Sequence, residues 1–168
     1  VIEFRDAPLD QGDGRRLLDE MRSEIAALYS GLDLDGPEMP RAGASELGPP
    51  HGAFLVGYDI DARAVCCGGL KRLPDGACEI KRMYVVPDAR GRGIAGQLLT
   101  ALEERARALG YEVARLDTGP RQPYSRRLYE HRGYRPVENF NRNPVADFFG
   151  EKSLLVAAAS RHPPGDGV

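Results

Sequence analysis

The stretch that decides the fold is Cys78-Glu-Ile-Lys-Arg-Met-Tyr-Val-Val-Pro-Asp-Ala-Arg-Gly-Arg-Gly-Ile-Ala-Gly-Gln-Leu-Leu99. It opens as a strand-like run (Glu79, Ile80, Met83, Tyr84, Val85, Val86), halts at Pro87 and passes through a basic glycine loop into an amphipathic helix. Arg90, Gly91, Arg92, Gly93, Ile94, Ala95 and Gly96 would set bare backbone N–H groups and a helix N-terminus around an anion, with two arginines for charge neutralisation. Apolar residues then recur at Ile94, Leu98, Leu102, Ala106 and Leu109, one face of a helix that Gly110 closes as a C-cap. Glu112 to Asp117 reads as the next strand. A whole helix separates it from the strand at 79–86, so the two are expected to run parallel as one βαβ unit.

Upstream, Val1–Arg5 alternates as a short strand, and Asp10 or Asp13 could cap a helix with the apolar face Leu17, Leu18, Met21, Ile25 and Leu28. Residues 31–52 are rich in Gly and Pro, and they read as a connecting loop or as a mobile wall of a substrate site. Ala53–Ile60 and Ala64–Leu73 form a candidate hairpin, and Pro74, Asp75 and Gly76 turn the chain into the key strand. Downstream, Pro123 at a first helical turn and Gly133 just beyond describe a short helix. Tyr134–Val137 and Lys152–Ala158 are expected to be closing strands around an Asn/Pro-rich loop at 138–147. The fold class is therefore α+β, helices layered on a mixed sheet. Residues 1–158 are expected to be one domain and 159–168 a disordered tail.

The chain has 168 residues, 42% of them hydrophobic and 29% charged, with a formal net charge of -2, and no apolar run approaches the roughly 20 residues of a membrane span. Those values argue against nucleic-acid and membrane partners and for a cytoplasmic globular protein. Cys66, Cys67 and Cys78 lack C-x-x-C spacing, so neither a disulfide framework nor a metal site is expected. As neighbours in a strand, Cys66 and Cys67 must point to opposite faces. A homodimer stays open.

Three readings of the glycine loop compete. It could be a tight connection with solvated arginines and nothing more. Gly91, Gly93 and Gly96 also satisfy G-x-G-x-x-G, with Asp117 placed for a ribose, which would make the chain a nicotinamide-dinucleotide binder. Against that, Pro87, Asp88, Ala89 and Arg90 intervene between strand and first glycine, and only about fifty residues follow Asp117, too few for the usual open parallel sheet.

The third reading is a resemblance. Arg90, Gly93 and Ala95 fit a [QR]-x-x-G-x-[GA] loop after a strand ending in Val85, and Leu128, Tyr129 and Glu130 followed by Gly133 and Tyr134 match a late helix and turn. Together they resemble the GNAT superfamily of acetyl-CoA-dependent N-acetyltransferases. The resemblance implies a partly splayed sheet, with pantetheine between the strands at 79–86 and 112–117. Backbone groups of Met83, Tyr84, Val85 and Val86 would face pantetheine, and N–H groups from Arg90 to Gly96 would hold the pyrophosphate. It implies acetyl-CoA as the acyl donor, no metal, and a small-molecule or peptide amine as acceptor. It also gives Tyr129 the role of protonating the departing thiolate.

An alkylamine of pKa about 10.4 is neutral in about one molecule in a few thousand at pH 7, roughly 4.6 kcal/mol against attack, so a base or desolvation is required. Glu79, eleven residues before Arg90, has the offset of the glutamate base in one branch of the resembled family; paired with Lys81 it would instead be a structural carboxylate. The N–H of Val85 is the expected oxyanion donor. Tyr124, His51 and His131 are lesser candidates by residue type alone. Direct transfer in a ternary complex is the expected reaction, and a non-catalytic acyl-CoA-binding protein is the opposing class.

Overall fold

The computed structural model describes residues 1–155. The elements in order are β1 (Glu3–Asp6), α1 (Gly12–Leu28), β2 (Ala53–Tyr58), β3 (Ala64–Arg72), β4 (Cys78–Val85), a 3-10 turn (Pro87–Ala89), α2 (Ile94–Ala108), β5 (Val113–Thr118), α3 (Pro123–His131), β6 (Arg135–Pro136) and β7 (Phe148–Ser153). One sheet runs β1-β2-β3-β4-β5-β7-β6, antiparallel at every pairing except β4 with β5, which is parallel. The α+β class and mixed sheet are as expected.

Two adjacent glycines identify the layers. A Cβ on Gly68 would meet Leu98 and Leu102 of α2, whereas one on Gly69 would meet Phe54 and Leu47. Phe54 in turn lies against Gly14 of α1. Successive strand residues face opposite ways, so α1 and the 31–52 segment cover one face while α2 covers the other. Leu17, Leu18, Met21 and Ile25 are the buried stripe of α1, and Leu98, Leu99, Leu102 and Ala106 that of α2. α3 joins the α2 side, where Arg132 just beyond it donates to Thr100 Oγ1 at 3.0 Å.

The helix ends show why the chain folds locally this way. Gly110 stands at φ +92° just past α2, the left-handed turn that a C-terminal glycine makes without steric cost, and Arg105 and Arg107 place cations at the negative end of the helix dipole. At α1 the expected aspartate cap is not found. Gln11 is the N-cap and makes no side-chain bond. Asp13 sits in the first turn, where its carboxylate favours the dipole and accepts from the Tyr58 hydroxyl at 2.9 Å.

The last strand also differs from expectation. It is Phe148–Ser153, not Lys152 onward, because the alternation Phe148 in, Phe149 out, Gly150 in lies flush along β5 in the register Thr118↔Phe148 to Val113↔Ser153. Residues 156–158 of the expected strand and the tail at 159–168 lie outside the described residues. Of the strand expected at 134–137, only Arg135 and Pro136 pair. No helix of the described residues is long and apolar enough to cross a membrane.

A candidate active site in the splay of the sheet

β4 and β5 pair through Cys78↔Ala114 and Glu79↔Arg115 and then part company. A bulge helps to drive them apart. Between Cys67↔Tyr84 and Gly69↔Lys81, β3 advances two residues while β4 advances three, and the extra residue places Arg82 at φ +60°. That conformation costs a non-glycine residue on the order of 1 kcal/mol. Beyond the bulge the Val86 N–H donates back to Val65 O at 2.9 Å. By the alternation of an antiparallel ladder, the main-chain groups of Val85 and Met83 therefore turn away from β3 into the opening. Consistently, the Val85 carbonyl accepts from Arg90 Nε at 2.9 Å.

The opening is a cavity of about 110 Å³ between the two strands, the end of α1, the 31–40 segment and α3. Ile80, Lys81, Arg82 and Met83 form one wall, Asp117 and Thr118 the other, and Tyr129 and Asn143 also line it. Beyond β4 the chain passes through the 3-10 turn into the glycine loop. Gly91 and Gly93 have φ of +78° and +76°, with open space where a Cβ would be, so left-handed backbone rather than crowding within the protein calls for glycine there. The N–H groups of Gly91, Arg92 and Gly93 have no main-chain partner among the described residues, and those of Ile94, Ala95 and Gly96 open α2, where helix geometry provides none. Six N–H groups and the positive end of a helix dipole thus meet at one place.

The two arginines of the loop separate. Arg90 does not supply a free charge: its guanidinium forks onto Glu24 of α1 at 2.8 Å through both terminal nitrogens, and that carboxylate, foremost, raises its pKa. It ties the loop to α1. Arg92 is exposed and makes no ion pair or side-chain hydrogen bond among the described residues. Gly96 is small for a further reason, since a Cβ there would lie 2.2 Å from an Arg132 nitrogen.

Tyr129 is 7% exposed, and its hydroxyl lies 3.8 Å from the Met83 sulfur. Burial, and secondarily the negative charge of Asp117, pushes the phenol well above its ordinary value. In acid–base chemistry at neutral pH the group therefore serves as a proton donor, not as a phenolate base. Tyr134 packs edge-on to it at 6.1 Å.

Glu79 lies behind the cavity wall rather than on it. It is 1% exposed, with Lys81 Nζ at 3.3 Å from Oε1 and Asn141 Nδ2 donating to Oε2 at 2.6 Å. The 3.3 Å contact is an ion pair without hydrogen-bond alignment, so Oε1 has charge compensation but no directed donor. The same Asn141 amide donates to Asp117 Oδ2 at 2.7 Å, and Asn143 adds a bond of 3.0 Å. Asn141 is thus a clasp between two carboxylates. The oxygen of Asp117 that these amides leave unused belongs to a residue of the cavity wall.

Of the residues singled out by sequence, the structure brings Met83 and Tyr129 to the cavity, sets Glu79 one layer back, and leaves Val85 and the 91–96 loop outside the cavity lining, on the chain that continues from β4 into α2. Tyr124 is 79% exposed, and His51 and His131 are exposed and do not line the cavity. The three thiols are buried; burial pushes Cys66 and Cys78 up to about 12 and Cys67 higher still. Sequence reasoning missed Lys81 as a wall residue, Arg82, and the clasp of Asn141 and Asn143. It noted Asp117 only for a ribose. The Asx-rich run at 138–147 was the available signal, since such residues bond neighbouring backbone and carboxylates.

The model of the acetyltransferase (GNAT) family matches residues 15–134. An IAA acetyltransferase of Azospirillum brasilense is 35% identical over 163 residues, covering 92% of this chain and 98% of that protein. Among solved structures, a Klebsiella pneumoniae protein titled for acyl-CoA N-acyltransferase identity superposes with a TM-score of 0.73 at 28% identity, over 92% of this chain and 99% of its own. The PaiA N-acetyltransferase of Thermoplasma acidophilum, solved in complex with coenzyme A, shares the fold with a TM-score of 0.65 at 16% identity, over 91% and 99% of the two chains.

Proposed function

The chain belongs to the acetyltransferase (GNAT) family and is an acyltransferase, and from that premise we propose that it moves the acetyl group of acetyl-CoA onto a primary amine by direct attack in the splay between β4 and β5. One observation carries this reading: β4, whose parting from β5 opens a cavity lined by the Tyr129 phenol, runs on into a glycine loop and helix N-terminus whose main-chain donors are unused among the described residues.

The pyrophosphate would rest on the N–H groups from Gly91 to Gly96, with Arg92 for charge, and pantetheine would run along Met83 to Val86. Gly93 and Ala95 admit the phosphate by being small. Attack by the amine nitrogen forms the C–N bond and leaves a tetrahedral oxyanion. Met83 N–H suits that oxyanion better than Val85 N–H, because Tyr129 must reach the departing sulfur and its hydroxyl already lies against the Met83 sulfur. The C–S bond then breaks, the thiolate takes the Tyr129 proton, and solvent restores it. The proton lost by the amine passes to Asp117, the carboxylate on the cavity wall. Glu79 acts one step behind, fixing the clasp that orients Asp117. The buried, high-pKa thiols offer no covalent alternative.

The test is release of free thiol from acetyl-CoA across a panel of primary amines, with mass spectrometry of both product and protein. Acceptor-dependent thiol release with an N-acetylated product supports the reading. A covalent acetyl-protein intermediate, or thiol release with no acetylated amine, overturns it.

A further inference from the structure

Arg82 is a charge in the cleft that neither the acetyl donor nor the proton transfers use. Its side chain is only 7% exposed, yet it lines the cavity. Its contacts within the protein are weak: Nη2 reaches Leu34 O at 3.4 Å and Asp35 Oδ1 at 3.8 Å, and Nε and Nη1 make no hydrogen bond among the described residues. Asp35 is half exposed and shared with Arg22, whose Nε lies 3.0 Å from its other oxygen. Neither of the unbonded Arg82 nitrogens is sealed from solvent among the described residues, so they stay available to an anion that enters the cavity.

The remaining charges of the cleft leave one complementary place. Lys81 is committed to Glu79. Asp117 has both amides of the clasp on Oδ2, and no bond to Oδ1 is formed among the described residues. One positive and one negative group thus remain open to a guest, with the apolar side chains of Met21, Ile25 and Leu34 lining the space beside them.

We propose that the acceptor is a small zwitterion: a primary amine that also carries a carboxylate and a modest apolar body, the chemistry of an amino acid. Asp117 Oδ1 receives the ammonium and becomes the base, and the Arg82 fork takes the carboxylate in paired, coplanar hydrogen bonds that lysine could not make. The strained backbone at Arg82 fits this assignment, because the bulge that opens the sheet also swings this side chain to the cavity wall. The inference rests on the N-acetyltransfer reading and narrows it to one acceptor class.

The experiment compares leucine and methionine with 3-methylbutylamine and 3-(methylthio)propylamine, which differ from them by the carboxylate alone, using thiol release at saturating acetyl-CoA. In the wild-type protein kcat/KM for the amino acids should exceed that for the decarboxylated amines by at least about 30-fold, the cost of leaving a buried charge unpaired. Arg82→Asn, a residue type that tolerates positive φ, should bring the ratio towards one, with acetyl-CoA affinity by calorimetry reporting that the variant is folded. Equal or better turnover of the decarboxylated amines by wild-type protein overturns the zwitterion while leaving N-acetyltransfer standing, and so does an unchanged ratio in a folded Arg82→Asn. Acetylation of no amine in either set overturns both readings together. The wild-type comparison decides the matter even if the variant fails to fold.

Discussion

Replacing Tyr129 by Phe separates chemistry from architecture, because the structure sets very different magnitudes for the two. The hydroxyl's partners are weak, a thioether sulfur at 3.8 Å and the Ser125 side chain, and removing it leaves no strong buried acceptor unsatisfied. The loss of stability should be no more than about 1 kcal/mol, a shift in Tm of about 2 to 4 °C. The ring, its edge contact with Tyr134 and the cavity wall remain. If the phenol delivers its proton in the transition state, kcat falls by about 10² to 10⁴, or roughly 3 to 5 kcal/mol of barrier. Acetyl-CoA affinity should hold steady, because no donor of the glycine loop is touched. The assay is initial-rate thiol release at saturating acetyl-CoA from pH 6 to 10, paired with calorimetric titration. Burial holds the wild-type phenol above its ordinary value of 10, so ionisation of Tyr129 should cost the enzyme no rate within that window. A Tyr129→Phe protein with kcat within about threefold of wild type would refute its role as the acid.

Gly93→Val should weaken acetyl-CoA binding by at least about tenfold while circular dichroism shows a folded protein, since the position combines φ +76° with open space into which the valine side chain would project; unchanged affinity would reduce the loop to a connection. Asp117→Asn should lower the rate most at neutral pH and recover towards pH 10 as free amine accumulates, whereas Glu79→Gln should cost about 2 to 4 kcal/mol of stability by leaving Lys81 buried without its anion; the opposite pattern in rate and urea midpoint would return the base to Glu79. Cys66 and Cys78 predict an alkaline limit. Their folded values are raised to about 12, so above pH 9 the unfolded chain sheds protons that the native state keeps, and stability, complete below 9, declines from there towards 12. A denaturation midpoint that rises between pH 9 and 10.5 would contradict this.

What the sequence made legible follows from local rules. The helix of the βαβ unit begins at Ile94 and turns off at Gly110 because apolar period and glycine chemistry act within a few residues. The short helix Pro123–His131, with Gly133 just beyond it, is written in the same way. The splay is not local. Nothing in the apolar pattern of β4 says that its pairing with β5 stops after Glu79, since bulge and divergence depend on a register mismatch with β3. The clasp is further removed still: Asn141 reaches Glu79 across 62 residues, through a loop whose course is set by β7 lying along β5. Glu79 and Lys81 were recognisable as a same-face pair, but only the structure shows that Glu79 sits behind the cavity wall and Lys81 on it. A motif singled out Arg90, and Glu24, one helix away, decides what its side chain does.

The central claim is that one cleft, from the glycine loop to the opening between β4 and β5, receives acetyl-CoA through main-chain donors. Residue-resolved amide hydrogen exchange with and without acetyl-CoA measures those donors directly. New protection is expected at Met83 and Val85, which the ladder alternation turns away from β3, and at Gly91 to Gly96, whose N–H groups have no main-chain partner among the described residues, with no such change on adding NAD. Protection that leaves these amides untouched on acetyl-CoA binding, or that appears with NAD instead, would contradict it.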